Sequence, residues 1–129
     1  MRTRSLLLVA CVVAATALMA GSASAGGATP TKITIKGPNG DFHGRLLSTN
    51  ADCLGERRVA VFEQTGDAQD PANDDRIATD TSDVSGDHGV WSVGNTGFRD
   101  GFFYAKVART PNCKGDRSKT IELQDGVPQ

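Results

Sequence analysis

The stretch FFYAKVA, residues 102–108, decides the fold class. Phe103, Ala105 and Val107 share one face of it, while Phe102, Tyr104 and Lys106 share the other. Side chains of an extended strand alternate between faces, so this spacing predicts a strand with one face buried. A helix would need apolar residues three and four positions apart, and no window of useful length has them. The period of two recurs along the chain. KITIK aligns Ile33 with Ile35, and FHGRLLS aligns Phe42 and Gly44 with Leu46. RRVAVFE aligns Val59 with Val61, VWSVG aligns Trp91 with Val93, and SKTIEL contributes Ile121 and Leu123. RIATD is a shorter candidate, which brings the number of predicted strands to seven. Gly-, Asn-, Asp- and Pro-rich segments such as GPNGD, GDAQDPANDD and SDVSGDHG supply the turns between them. Seven strands without a helix must bury their apolar faces against a second sheet. The expectation is an all-β, antiparallel-type β-sandwich.

The N-terminus carries an address. Arg2 and Arg4 precede a fifteen-residue apolar run, Leu6 to Ala20, and Ala23-Ser24-Ala25 has the small-x-small pattern that signal peptidase accepts. A membrane span would need about 20 apolar residues. Leu8-Val9-Ala10-Cys11 is similar to a lipoprotein box, but lipidation there would leave Val12 to Ala20 apolar in the mature chain. Residues 1–25 are therefore expected to be a signal peptide cleaved after Ala25, and the product to be secreted. Residues 26–30 are expected to form a flexible leader, 31–124 a single domain and 125–129 a C-terminal tail.

The whole chain has a net charge of −1, and loss of Arg2 and Arg4 leaves 12 − 15 = −3. The two signs interleave along the sequence without a Lys/Arg run. Neither nucleic acid nor membrane insertion after signal cleavage is expected, and the partner is expected to be an extracellular protein or glycan met by a monomer. Cys53 and Cys113 are an even pair for an oxidising compartment, so a disulfide is expected. If the strands run alternately up and down, both cysteines lie at one end of the sandwich. Closing a loop of about 60 residues would stabilise the fold by about 4 kcal/mol in the chain-entropy model.

The segments GRLLS followed by Cys53, RRVAVF, IATDTSD, GVWSV, GFFYAKV followed by Cys113, and SKTIEL resemble transthyretin-like (prealbumin-like) β-sandwich modules, also called carboxypeptidase regulatory-like domains. Small secreted bacterial versions with a cysteine pair are the nearest in pattern, and the likeness covers about residues 31–124. It implies the sandwich fold, no catalytic residues, and an accessory role in folding, attachment or binding. The hairpin before the aromatic strand is longer here than that pattern has it.

TDTSDVSGDHGVW, residues 79–91, holds the one motif that invites a metal: Asp80, Asp83 and Asp87. An EF-hand needs oxygen ligands at positions 1, 3 and 5, Gly at 6 and Glu at 12, and registers starting at Asp80 or Asp83 both fail. Asp, Ser and Gly are also the residues of a solvated hairpin tip. The turn is the expected reading, and a calcium site is the alternative. A second acidic group, Asp67, Asp70, Asp74 and Asp75, lies in the preceding connection. No other cofactor is expected. His43 and His88 are the two histidines, and Gly-x-Ser-x-Gly, His-Glu-x-x-His and phosphate-loop motifs are missing from the sequence. The expected role is a non-catalytic structural or binding module. A small-ligand binder for sugars or peptides, or a small secreted hydrolase built on Asp with His43 or His88, are the alternatives. If the face opposite Phe103 is open, Phe102, Tyr104 and Lys106 are its candidate ligand surface.

Overall fold

The computed structural model describes residues 27–129. The expected signal peptide, its expected cleavage site and the lipoprotein-like box lie outside the described residues. Among the described residues ten strands form, in chain order. They are β1 (Lys32–Ile33), β2 (Asp41–Leu47), β3 (Arg58–Glu63), β4 (Asp75–Thr81), β5 (Asp83–Ser85), β6 (His88–Asn95), β7 (Gly101–Val107), β8 (Asp116–Arg117), β9 (Ile121–Gln124) and β10 (Val127–Pro128). One sheet has the order β1-β2-β6-β5. The other has the order β10-β9-β7-β3-β4, with β8 also pairing β7. All named strand pairs are antiparallel. The fold is an all-β sandwich with ten strands rather than the expected seven. The seven predicted strands are all present. The additional ones, β5, β8 and β10, have only two or three residues, too few to show a period.

The core lies between the sheets. Ile33, Ile35, Leu46 and Trp91 from the first sheet meet Val59, Val61, Phe103, Ala105, Val107 and Leu123 from the second. Val93 and Ile121 are only partly buried against it. Phe42 crosses the interface to Phe103, with ring centroids 4.8 Å apart, and Phe98 meets the same ring edge-on at 5.4 Å. Gly44 is required where β2 passes Thr34, because a Cβ there would collide with the Thr34 carbonyl oxygen.

Two segments expected to be loose are tied down. Thr29, in the expected leader, donates its N–H to the Asn112 carbonyl at 2.9 Å and accepts from Lys114 N–H at 2.8 Å. In the expected tail, Gln124 pairs with Val127 across an Asp125-Gly126 turn. Both turn residues have positive φ, 52° and 81°, as a type I′ hairpin demands.

The chain changes sheets beside a disulfide and a buried cation. Cys53 and Cys113 are bonded, with Cα atoms 5.6 Å apart. Arg57, two residues before Val59, has the same inward parity as that residue and is only 2% exposed. Its Nη1 donates to Thr31 Oγ1 at 2.9 Å and to the Cys53 carbonyl at 3.0 Å. Its Nη2 donates to the carbonyls of Ala108 at 2.8 Å and Lys114 at 2.9 Å. Its main chain exchanges hydrogen bonds with Ser82, the residue between β4 and β5, and the Ser82 hydroxyl donates to the Leu54 carbonyl at 2.8 Å. No carboxylate neutralises this guanidinium among the described residues. Burial pushes its pKa down, but an arginine stays charged at neutral pH. Arg57→Leu would remove the donors from four acceptors at once. The expected cost is about 3 kcal/mol or more, with Arg57→Lys intermediate, as read by urea unfolding. A change under about 1 kcal/mol in Arg57→Leu would remove this residue from the account.

Candidate functional site

β8 is positioned by its two ends. Before it, Thr110 and Cys113 close a turn with main-chain bonds of 2.9 and 3.4 Å. Gly115 lets this turn fold back on β7, since a Cβ would sit 2.9 Å from the Val107 carbonyl oxygen. After β8, the buried Ser118 holds Ala105 twice: its N–H donates to the Ala105 carbonyl and its Oγ accepts the Ala105 N–H, both at 2.8 Å. Between these ends Asp116 reaches the opposite sheet, where its Oδ2 accepts the Ile33 N–H at 2.9 Å.

Two clefts meet at β8. The larger, about 1030 Å³, is lined by Lys106, Arg109, Lys114 and Arg117, with Asp70 on its far side. The second, about 810 Å³, lies between the outer edge of β1 and residues 116–119, and adds Lys32, Lys36 and Lys119. Asp116 and Arg117 line both. All seven basic side chains are exposed. Among the described residues the one ion-pair geometry is His88 with Asp87, so none of the seven is neutralised by a carboxylate at contact distance. The two acids of the clefts are engaged otherwise: Asp116 holds β1, and Asp70 accepts from Asn73 Nδ2 at 2.6 Å.

This face carries 7 − 2 = +5. The rest of residues 26–129 carries 5 − 13 = −8, which restores the total of −3. The interleaving of charge along the sequence does not survive folding. A partial signal was readable, because residues 106–119 hold five basic residues and one acid, while residues 63–87 hold eight acids and one Arg. The approach of Lys32 and Lys36 was not readable, since it depends on β1 lying across from β8.

The predicted ligand surface needs correction. Phe102 is 47% exposed and Lys106 is exposed, but Tyr104 is fully buried. The alternation of the strand holds, and all three side chains leave the core face. Tyr104 is then roofed by the β3–β4 connection. It stacks on Phe62, with centroids 5.4 Å apart and rings 13° from parallel, and its hydroxyl donates to Asp74 Oδ2 at 2.6 Å. Phe102, Tyr104 and Lys106 therefore form no common patch, and Lys106 belongs to the larger basic cleft.

The acidic turn is the β5–β6 hairpin, with Gly86-Asp87 as its two-residue loop and Gly86 at φ 65°. Asp80 Oδ2 accepts the Ser92 N–H at 2.8 Å, Asp83 pairs with Val90, and Asp87 Oδ1 faces His88 Nδ1 at 3.0 Å. The fold does not gather these three carboxylates. Among the described residues no group of three or more His, Cys, Asp or Glu is arranged to hold a metal ion. His43 Nδ1 faces the carbonyl of Asp41, two residues before it, at 2.9 Å. No helix among the described residues is long and apolar enough to cross a membrane. Comparison with protein-family models, curated proteins and solved structures found no match.

Asp74 ties the roof over Tyr104 to the sheet. Its carboxylate accepts from Thr65 N–H and Oγ1, Asp70 N–H and the Tyr104 hydroxyl. The Thr65 N–H bond and then the Tyr104 bond hold its pKa down at about 2, and burial with this contact pushes the Tyr104 hydroxyl up. A carboxylate with a depressed folded pKa stabilises fully above its unfolded value, about 4, and loses that contribution as pH falls through about 2. Asp74→Asn should lower Tm at pH 7 and flatten the fall in Tm between about pH 4 and pH 2. An acid limb identical to that of the unaltered protein would contradict this role.

Proposed function

We propose that this chain is a secreted, non-catalytic β-sandwich module of the transthyretin-like kind, and that it binds an anionic extracellular partner through the basic face around β8. The observation that carries the reading is the set of seven exposed, unneutralised cations around two adjoining clefts of a chain whose net charge is −3 after signal cleavage. Like charges gathered in clefts focus a positive potential, attract anions over about one Debye length, and raise the rate of encounter. The mutual repulsion of these cations is a cost to the fold that a bound anion removes. The acidic remainder repels the same anion and so orients it toward this face. The fit is to an extended polyanion rather than a small sugar. The two clefts are open, and exposed Phe102 has lost Tyr104 as a companion aromatic.

Dextran sulfate and poly-L-glutamate are suitable probes, followed by fluorescence anisotropy at low and high salt. Binding should weaken about tenfold or more between roughly 20 and 300 mM salt. Arg109→Glu with Lys114→Glu should weaken it by a similar factor, about 1.4 kcal/mol. Arg58→Glu with Arg76→Glu, outside both clefts, should leave it within about twofold. Salt-independent binding, or equal loss in both double variants, would overturn the reading.

A further inference from the structure

The second cleft has a wall that charge alone does not explain. Along residues 32–36 the main chain alternates in direction. Thr34 N–H donates to the Arg45 carbonyl at 3.0 Å and Lys36 N–H to the His43 carbonyl at 2.7 Å, so these residues face β2. Ile33 and Ile35 face the other way with their main-chain groups, while their side chains belong to the core, and the whole residues are only 3% and 5% exposed respectively. One of these outward groups, Ile33 N–H, is taken by Asp116. The Ile33 carbonyl and both the N–H and carbonyl of Ile35 make no hydrogen bond among the described residues. They open into the cleft bounded by residues 116–119. This is the unpaired edge of a sheet, and such an edge accepts a further strand.

From this edge, and resting on the reading of the basic face as a binding site, we infer that the cleft takes an acidic extended peptide of another protein, added as a strand alongside β1. The main chain of the peptide would pair with Ile33 and Ile35. Its carboxylates would meet Lys32 and Lys36 on one side and Arg117 and Lys119 on the other. The same four cations choose the occupant. Two copies of this chain pairing edge to edge would set Lys32 and Lys36 against their own kind, and a basic peptide would be repelled. An acidic one is attracted, and its selection comes as much from the partners refused as from the one accepted. A sulfated or phosphorylated polymer could meet the cations, but it lacks the amide groups that the edge would pair. Asp116 guards the edge at one end, which confines pairing to the Ile33 carbonyl and Ile35.

The test uses the mature, oxidised protein and a labelled ten-residue peptide of alternating Glu and Thr. A second peptide has the same sequence and charge but is N-methylated at alternate residues, which removes its pairing N–H groups. The unmethylated peptide should bind, protect the Ile35 amide from hydrogen exchange, and lose about tenfold in affinity with Lys32→Glu and Lys36→Glu. The methylated peptide should bind at least about tenfold more weakly. If both peptides bind alike and Ile35 exchanges freely, strand addition is overturned while binding of dextran sulfate upholds the basic face. If none of the three probes binds, the basic face and the strand site both fall.

Discussion

The structure depends on a cation placed where a small β-sandwich has least room for one. Arg57 is buried beside the disulfide, and its guanidinium donates to the nearby Cys53 carbonyl and to three residues distant in sequence, Thr31, Ala108 and Lys114. A charge removed from water without compensation is costly, and here carbonyl dipoles and one hydroxyl supply the compensation. The planar fork of arginine suits this, because it presents donors in fixed directions to several acceptors at once. The disulfide and the guanidinium act on the same turns. Cys53 and its partner Cys113 join them covalently, and Arg57 fixes the carbonyls of Cys53 and of Lys114, the residue after Cys113. The cross-link restricts the unfolded chain, while the buried cation specifies how the joined turns sit in the folded one.

That arrangement positions the basic face. Lys114 and Arg109 stand on the turn that Arg57 and the disulfide hold, and β8 continues from it across the open side of the sandwich. Asp116 then links β8 to β1, which brings Lys32 and Lys36 opposite Arg117 and Lys119. The cations are crowded by structure made for another purpose, the closure of the sandwich end. On the outer face of the second sheet, away from the core, Asp74 has a comparable organising role over Phe62 and Tyr104, with a carboxylate as the central acceptor instead of a guanidinium as the central donor. Each end of the β3–β4–β7 region is thus held by one charged group with several neutral partners.

Much of the fold was legible in the sequence because a strand with one buried face writes a period of two. The faces of Ile33, Val61, Trp91 and Phe103 were readable on that ground. Two further signals stand in the sequence. Arg57 shares the parity of Val59 and Val61, which places it inward, and Asp125-Gly126 is a hairpin dipeptide that predicts β10. Other features had no local signal. The period of FFYAKVA puts Tyr104 on the outer face but cannot say that residues 64–74 fold over it. Two-residue β8 is made by Gly115, Asp116 and Ser118 finding partners in β7 and β1, which is tertiary information. The candidate site was half readable for the same reason. Its five cations in residues 106–119 are a run in the sequence, and the two from β1 join them only through the fold.

Arginine-edited proton–nitrogen NMR on the oxidised protein at neutral pH tests the central claim, that a charged Arg57, bonded through both Nη atoms, holds the joined turns. The prediction is a separate set of Arg57 Nη–H resonances that exchange with water far more slowly than those of exposed Arg76. Nη protons of Arg57 that average together and exchange as fast as those of Arg76 would contradict it.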